Sequence, residues 1–218
     1  MVRNSLVVHG AKVTAHYNTN ASTLDGLVGE FGTDRIQKLQ ADLGNEGDNV
    51  RIFGEMVERG FGPVQVIIVN HATYVTEDVP ISRMSLEQWN RTINANLTSP
   101  FLVVREYLRG LESLGEDQRS LGDKAAIVIV GSTAGKYGEA GHADYAATKS
   151  GKPVGSRDSI RSDKTSAMMY GLTMTLKNEM VKIAPKGRVN CVAPGWVKTP
   201  MAAGSLANPE IAYRALAT

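Results

Sequence analysis

The chain has 218 residues, 42% of them hydrophobic, and a formal net charge of +2 from 24 Lys and Arg against 22 Asp and Glu. That length and apolar content support one α/β domain with a single core, and the small, unclustered charge excludes a strong pull toward nucleic acid or an anionic membrane. The one cysteine, Cys191, excludes an intrachain disulfide and a cysteine metal cluster, and His9, His16, His71 and His142 show no ligand spacing, so no metal site is expected.

In chain order, Lys12 to Tyr17 reads as a strand, Ser22 to Phe31 as a helix, Ile36 to Asp42 as a strand and Asp48 to Arg59 as a helix. Val64 to Asn70 follows as a strand, and it is among the longest apolar runs, far short of the ~20 residues a membrane helix needs. The stretch Met1 to Gly10 carries one basic residue and a three-residue apolar run, too little for a secretory signal. The cytoplasm is therefore the expected location.

Ser85 to Leu114 reads as a long helix opened by a capping box, Ser85 with Gln88 three residues on. Pro100 lies inside it and has no N–H for the carbonyl of Asn96, so a kink and a free acceptor, able to hold a water, are expected there. Ala126 to Gly131 and Val189 to Ala193 are the last strands, and Pro209 to Leu216 is helical. Strands alternating with helices give a parallel sheet covered on both faces.

Residues 125 to 149 concentrate the chemistry. Strand Ala126 to Gly131 delivers Ser132 to its carboxyl end, where open α/β sheets bind ligands. Tyr145 and Lys149 then share one helix face as i and i+4 neighbours, placing an ammonium near a phenol. Taken singly, such a pair is more often a solvated one. Ser132 and Asp42 each serve equally well as caps, and Asn70 as a turn residue. Trp196 and Tyr137 fit either a pocket wall or apolar packing, and Cys191 reads as core.

Asn70-His71-Ala72 after a strand, Asn96, Ser132, Tyr145-x-x-x-Lys149 and the turn Pro194-Gly195-Trp196-Val197-Lys198-Thr199 together resemble the short-chain dehydrogenase/reductases, in particular the ketoacyl-reductase-like members. The resemblance runs from about Leu6 to about Thr218. It implies a Rossmann-like, doubly wound parallel sheet and an NADP(H)-dependent oxidoreductase that reduces a small-molecule carbonyl to an alcohol. Tyr145 is implied as acid/base, and Lys149 as the group that lowers the phenol's pKa and binds the nicotinamide ribose. Ser132 is implied on the carbonyl oxygen, and Asn96 on a proton-relaying water. For the cofactor it implies Asp42 and Leu43 at the adenine, Asn70 and Ala72 near the adenosine ribose, and Pro194, Gly195, Val197 and Thr199 around the nicotinamide and phosphate. Asn18-Thr19-Asn20 lacks the acid that grips the ribose of NAD, which favours NADP over NAD. A homodimer or homotetramer is implied if the fold is intact.

Three departures from that pattern stand out. The family's first strand and its Gly-rich loop, which cradles the cofactor pyrophosphate, have no counterpart, so the sheet should be incomplete, with a gap between the strands at Lys12 and Val64 unless Leu6 to His9 fills it. The family's last strand is likewise missing. Gly151 to Ser166 interrupts the helix behind Lys149 as a looped insertion, because Pro153 ends a helix at a cost of about 3 kcal/mol. A retained short intron is one hypothesis for its origin, since deletion restores the pattern; a mature transcript carrying those codons would sink it. Two other readings stay open: a remnant or gene-model artefact without cofactor binding, and an NAD-dependent alcohol dehydrogenase.

Overall fold

The computed structural model describes residues 6–149 and 168–216. The expected insertion at 151–166 lies outside the described residues. Five parallel strands form: β1 (Val13–Tyr17), β2 (Ile36–Gln40), β3 (Val66–Val69), β4 (Ala126–Val130) and β5 (Arg188–Val192). The helices are α1 (Asp25–Phe31), α2 (Glu46–Glu58), α3 (Leu86–Ile93), α4 (Ser99–Glu112), α5 (Arg119–Gly122), α6 (Ala134–Tyr137), α7 (Ala143–Lys149), α8 (Met168–Ile183), α9 (Pro200–Leu206) and α10 (Pro209–Leu216). None among the described residues is long and apolar enough to cross a membrane.

The strands fall into two sheets, β1–β2 and β3–β4–β5. In the first, Val13 pairs with Ile36; in the second, Val66 pairs with Ala126 and Ala126 with Arg188. Among the described residues no strand stands between β1 and β3, which is the expected gap. Leu6 to His9 does not fill it. Residues 6–8 are helical, with Val7 buried against Ala15, Leu24 and Ile36 and its carbonyl accepting from the Arg35 guanidinium at 3.2 Å. That burial draws the segment onto the face of the small sheet, away from the slot. His16 of β1 and His71 beyond β3 meet edge to face across the divide, ring centroids 6.4 Å apart.

Helices couple the two sheets. Phe53 of α2 and Val103 of α4 each pack against both the large core around Ile127, Ile129 and Met180 and the smaller one of Leu39, Ala41, Leu43 and Ile52. Fully burying an aliphatic side chain such as Ile52 or Ile127 contributes roughly 1.5–3 kcal/mol. Tyr107 of α4 fixes the depth of the large sheet, because its hydroxyl donates to Gln65 O at 2.7 Å and accepts from Ala126 N–H at 3.1 Å. Burial pushes that phenol up to about 12, so it stays a neutral donor.

β4, between two partners and made of Ala, Ile and Val, is buried at Ala126, Ile127 and Ile129. β5 has a neighbour on one side only among the described residues and exposes four of its five positions. Cys191 is therefore exposed, not core as its apolar surroundings in sequence imply.

The long helix keeps its run through Pro100 by changing its winding. Residues Asn94–Thr98 form a π turn in which Ser99 N–H reaches the Asn94 carbonyl, and Pro100 begins the next stretch without an N–H to give Asn96. Ser85 caps α3 by accepting from Gln88 N–H at 3.1 Å. The second half of the capping box is not made, because the Gln88 side chain donates to Asp144 instead, at 3.2 Å.

Candidate functional site

The carboxyl ends of β3, β4 and β5 open onto one cavity of about 760 Å³. Backbone bonds lace its floor: Gly131 N–H donates to Val192 O at 2.7 Å and Thr133 N–H to Pro194 O at 3.1 Å. These bonds hold the loop carrying Ser132 against the turn Pro194 to Thr199. Ser132 Oγ accepts from Ala134 N–H at 3.2 Å, which fixes the hydroxyl at the strand exit.

Helix α7 brings in Tyr145 and Lys149. Its start is anchored by Asp144, 1% exposed, whose carboxylate accepts from Thr92 Oγ1 at 2.7 Å, Gln88 Nε2 at 3.2 Å and Tyr145 N–H at 2.8 Å. Burial pushes the Asp144 carboxyl up, but these donors outweigh it and hold the group below the usual carboxylate range. A satisfied buried charge thus locks α7 to α3.

Lys149 is buried, and its Nζ donates to Val130 O at 3.0 Å while lying 5.8 Å from the Tyr145 ring centroid. Burial pulls its pKa down to about 8. The Tyr145 phenol is pushed up by burial and by the Glu139 carboxylate, while the Ser132 hydroxyl opposes the rise. The Lys149 ammonium is tied back to the end of β4 at Val130 O, and the Ser132 hydroxyl favours the phenolate.

Of the residues singled out from sequence, Asn70, Ala72, Ser132, Tyr145, Lys149, Pro194, Gly195, Val197 and Thr199 line this cavity, as do Tyr137 and Trp196. Asn96, Asp42 and Leu43 do not. Asn96 is fully buried behind the wall, where its side chain accepts from Thr73 N–H at 2.7 Å and donates to Thr73 O at 2.8 Å. It thereby shapes the loop after β3. Asp42 is exposed and accepts from Gly44 N–H at 2.9 Å, closing the turn before α2, and Leu43 packs into the smaller core.

Sequence reasoning missed Tyr74, Glu139 and His142. Tyr74 and Glu139 line the cavity, and Tyr74 stands edge-on to Tyr145 with ring centroids 5.0 Å apart. An aromatic shortly after Asn70-His71-Ala72 was the available signal, but no spacing rule links it to groups so far along the chain. His71 is held close to Ser99 Oγ, at 2.5 Å, and burial, reinforced by His16 and Lys149, lowers its pKa to about 4, so it is neutral near pH 7.

The chain is 28% identical over 217 residues to a 3-oxoacyl-[acyl-carrier-protein] reductase of Synechocystis, an alignment covering 98% of this chain and 75% of the relative. It is 30% identical over 167 residues to an acetoacetyl-CoA reductase of Allochromatium vinosum, covering 76% of this chain and 55% of the relative. The crystal structure of a putative gluconate dehydrogenase from Agrobacterium tumefaciens superposes with a TM-score of 0.73 at 22% identity, over 96% of this chain and 71% of that one. A short chain dehydrogenase from Mycobacterium smegmatis gives 0.68 at 22% identity, over 88% of this chain and 69% of that one. Both structural likenesses bear on the fold alone, a Rossmann-like parallel α/β arrangement. The family model described as short chain dehydrogenase matches residues 2–154, well over half of the sequence. The chain belongs to the short chain dehydrogenase family.

Proposed function

We propose that this chain is an NADP(H)-dependent oxidoreductase that reduces a ketone carbonyl to an alcohol, with Tyr145 as acid/base. The observation that carries the reading is the convergence of Ser132, Tyr145 and Lys149 on one cavity whose far wall is Pro194 to Thr199. The names of the two reductase relatives support a 3-oxoacyl thioester as the substrate class.

The cavity fits the nicotinamide end of the cofactor. Lys149 is a buried ammonium that among the described residues gives one N–H to Val130 O, which supports a role toward ribose hydroxyls, and Val197 and Thr199 line the same cavity, where they would hold a carboxamide and a phosphate. NADPH, when bound, supplies the hydride that the carbonyl carbon receives. Ser132 donates to the carbonyl oxygen and stabilises the charge that develops on it. Tyr145 delivers a proton to the same oxygen. Its raised pKa keeps the phenol protonated near pH 7, as a proton donor must be. Lys149 would hold the ribose side of the cofactor.

β1 ends at Tyr17, and beyond it Asn18 O accepts from Gln40 Nε2 at 3.1 Å while Asn20 Oδ1 holds Ser22 N–H at 2.9 Å. The residues that follow the strand, Asn18, Thr19 and Asn20, carry no carboxylate, which supports NADP over NAD.

A second reading, a chain that retains the site but holds the dinucleotide weakly, is favoured by one observation: among the described residues nothing pairs between β1 and β3, where a pyrophosphate-binding turn would emerge. Titration of the 218-residue polypeptide with NADPH, followed by fluorescence, separates the two. Micromolar affinity supports the first reading. Absence of saturation in the millimolar range supports the second, and tighter binding of NADH than NADPH refutes the cofactor assignment.

A further inference from the structure

Two loops meet beside Tyr145 at the wall of the cavity. The loop after β3 contributes Tyr74 and Asp78, and the loop between α6 and α7 contributes Glu139 and His142. Val79 N–H donates to Gly141 O at 3.0 Å, and Gly141, at φ +82°, lies so close that a Cβ would come within 2.9 Å of Asp78 Cβ. The approach of the two loops therefore requires glycine.

His142 is 3% exposed, and its Nε2 lies 2.9 Å from Asp78 Oδ1 and 2.8 Å from the Tyr74 hydroxyl oxygen. A carboxylate only accepts, so Nε2 carries the hydrogen and donates to both oxygens. The Tyr74 O–H is then left to donate to Glu139 Oε1, at 3.1 Å. The His142 ring also packs on the Tyr74 ring, centroids 4.5 Å apart and tilted by 31°. Tyr74 is thus fixed at its hydroxyl by two groups and along its face by a third. Its edge contact with Tyr145, at 5.0 Å and 89°, is the preferred T-shaped geometry for aromatic pairs.

We propose that Tyr74 is a positioning residue for Tyr145: its ring, clamped by His142 and Glu139, holds the Tyr145 phenol in one orientation and keeps water from that side of it. The proposal rests on the reading of Tyr145 as acid/base. Tyr74 is not a competing proton donor, because its O–H is committed to Glu139, and burial together with that carboxylate raises its pKa. The groups facing Tyr145 are Ser132 from the end of β4, Lys149 on its own helix, and Tyr74 and Glu139 from the two loops, with His142 and Asp78 behind Tyr74.

The test uses the protein labelled with 3-fluorotyrosine, whose phenol titrates at lower pH than tyrosine's, observed by fluorine NMR. The Tyr145 signal is identified by its loss in Tyr145→Phe. Because burial is the largest influence on that phenol, Tyr74→Ala lowers its titration midpoint by about one pH unit, whereas Tyr74→Phe, which keeps the ring, leaves it within a few tenths. Tyr74→Leu, which fills only part of the ring's space, serves should the alanine variant not fold, and gives a smaller downward shift of the same sign. A midpoint that is the same in wild type, Phe and Leu variants overturns the proposal, and this measurement needs no turnover. In assays of acetoacetyl-CoA reduction, Tyr74→Ala lowers kcat about tenfold with KM within about twofold, and Tyr74→Phe restores it. An unchanged kcat in the alanine variant overturns the proposal, whereas full turnover in Tyr145→Phe overturns the acid/base reading and leaves the NMR result to decide the contact.

Discussion

Lys149 should make the folded protein less stable at neutral pH than a methionine in its place. It is 5% exposed, and burial moves its pKa from 10.5 to about 8. At 1.36 kcal/mol for each pH unit, keeping it charged in the fold costs about 3 kcal/mol below pH 8. Between about pH 8 and 10.5 the unfolded chain holds more protons than the folded one, so stability rises with pH across that window and the penalty is gone at its top. Lys149→Met removes the charge and keeps the apolar stem, but also loses the donor to Val130 O, worth about 1 kcal/mol. The expected net gain is about 2 kcal/mol at pH 7, shrinking to zero or below near pH 10.5. Urea unfolding of both proteins at several pH values measures it. A variant less stable at pH 7, or a difference that does not change with pH, would refute the reasoning. The gain should come with loss of turnover, since the residue that strains the fold is the one proposed to hold the ribose.

Two further outcomes follow from the supports of Tyr145. Asp144→Ala leaves the Thr92 hydroxyl and Gln88 carboxamide without their buried acceptor and should destabilise by about 2–4 kcal/mol at pH 7. Because the Asp144 carboxyl is held below its usual range, its stabilisation is present above about pH 4 and is lost as pH falls through its folded value; denaturant melts at pH 7 and pH 3 should show the mutational difference shrinking. Gly141→Ala places a Cβ against Asp78 at a positive φ and should lower stability by about 2 kcal/mol, read as a drop in melting temperature. An unchanged melting temperature would show that the two loops do not meet as described.

The parts of this architecture that were legible in the sequence are those written locally. The five strands appear within two residues of where β-rich runs and turn residues put them: β3 and β4 are continuous runs of Val, Ile and Ala, and β1, β2 and β5, which mix in polar residues, are bounded by turn residues. Ser132, Tyr145 and Lys149 were readable because one helix turn and one strand end position them. What was not legible depends on tertiary partners. Gln88 abandons its cap for Asp144, 56 positions away, since a buried carboxylate is the stronger acceptor. Leu43 turned out to be core and Asp42 a turn residue, because a residue type beside a strand end does not reveal which way the chain bends after it. Tyr74 and His142 sit 68 positions apart, and no local pattern announces that they will touch. The winding at Asn94–Thr98 shows the intermediate case: Pro100 signalled that the hydrogen bonding must change, but not that a π turn would absorb it.

The central claim is that Tyr145 supplies the proton in a hydride-transfer reduction. Loss of NADPH absorbance at 340 nm with acetoacetyl-CoA, compared between wild type and Tyr145→Phe at equal melting temperature, tests it most directly. The account predicts turnover in the wild type and a fall in kcat of about 100-fold or more in the variant. A variant that keeps most of the wild-type rate, or a wild type without turnover at saturating NADPH, would contradict it.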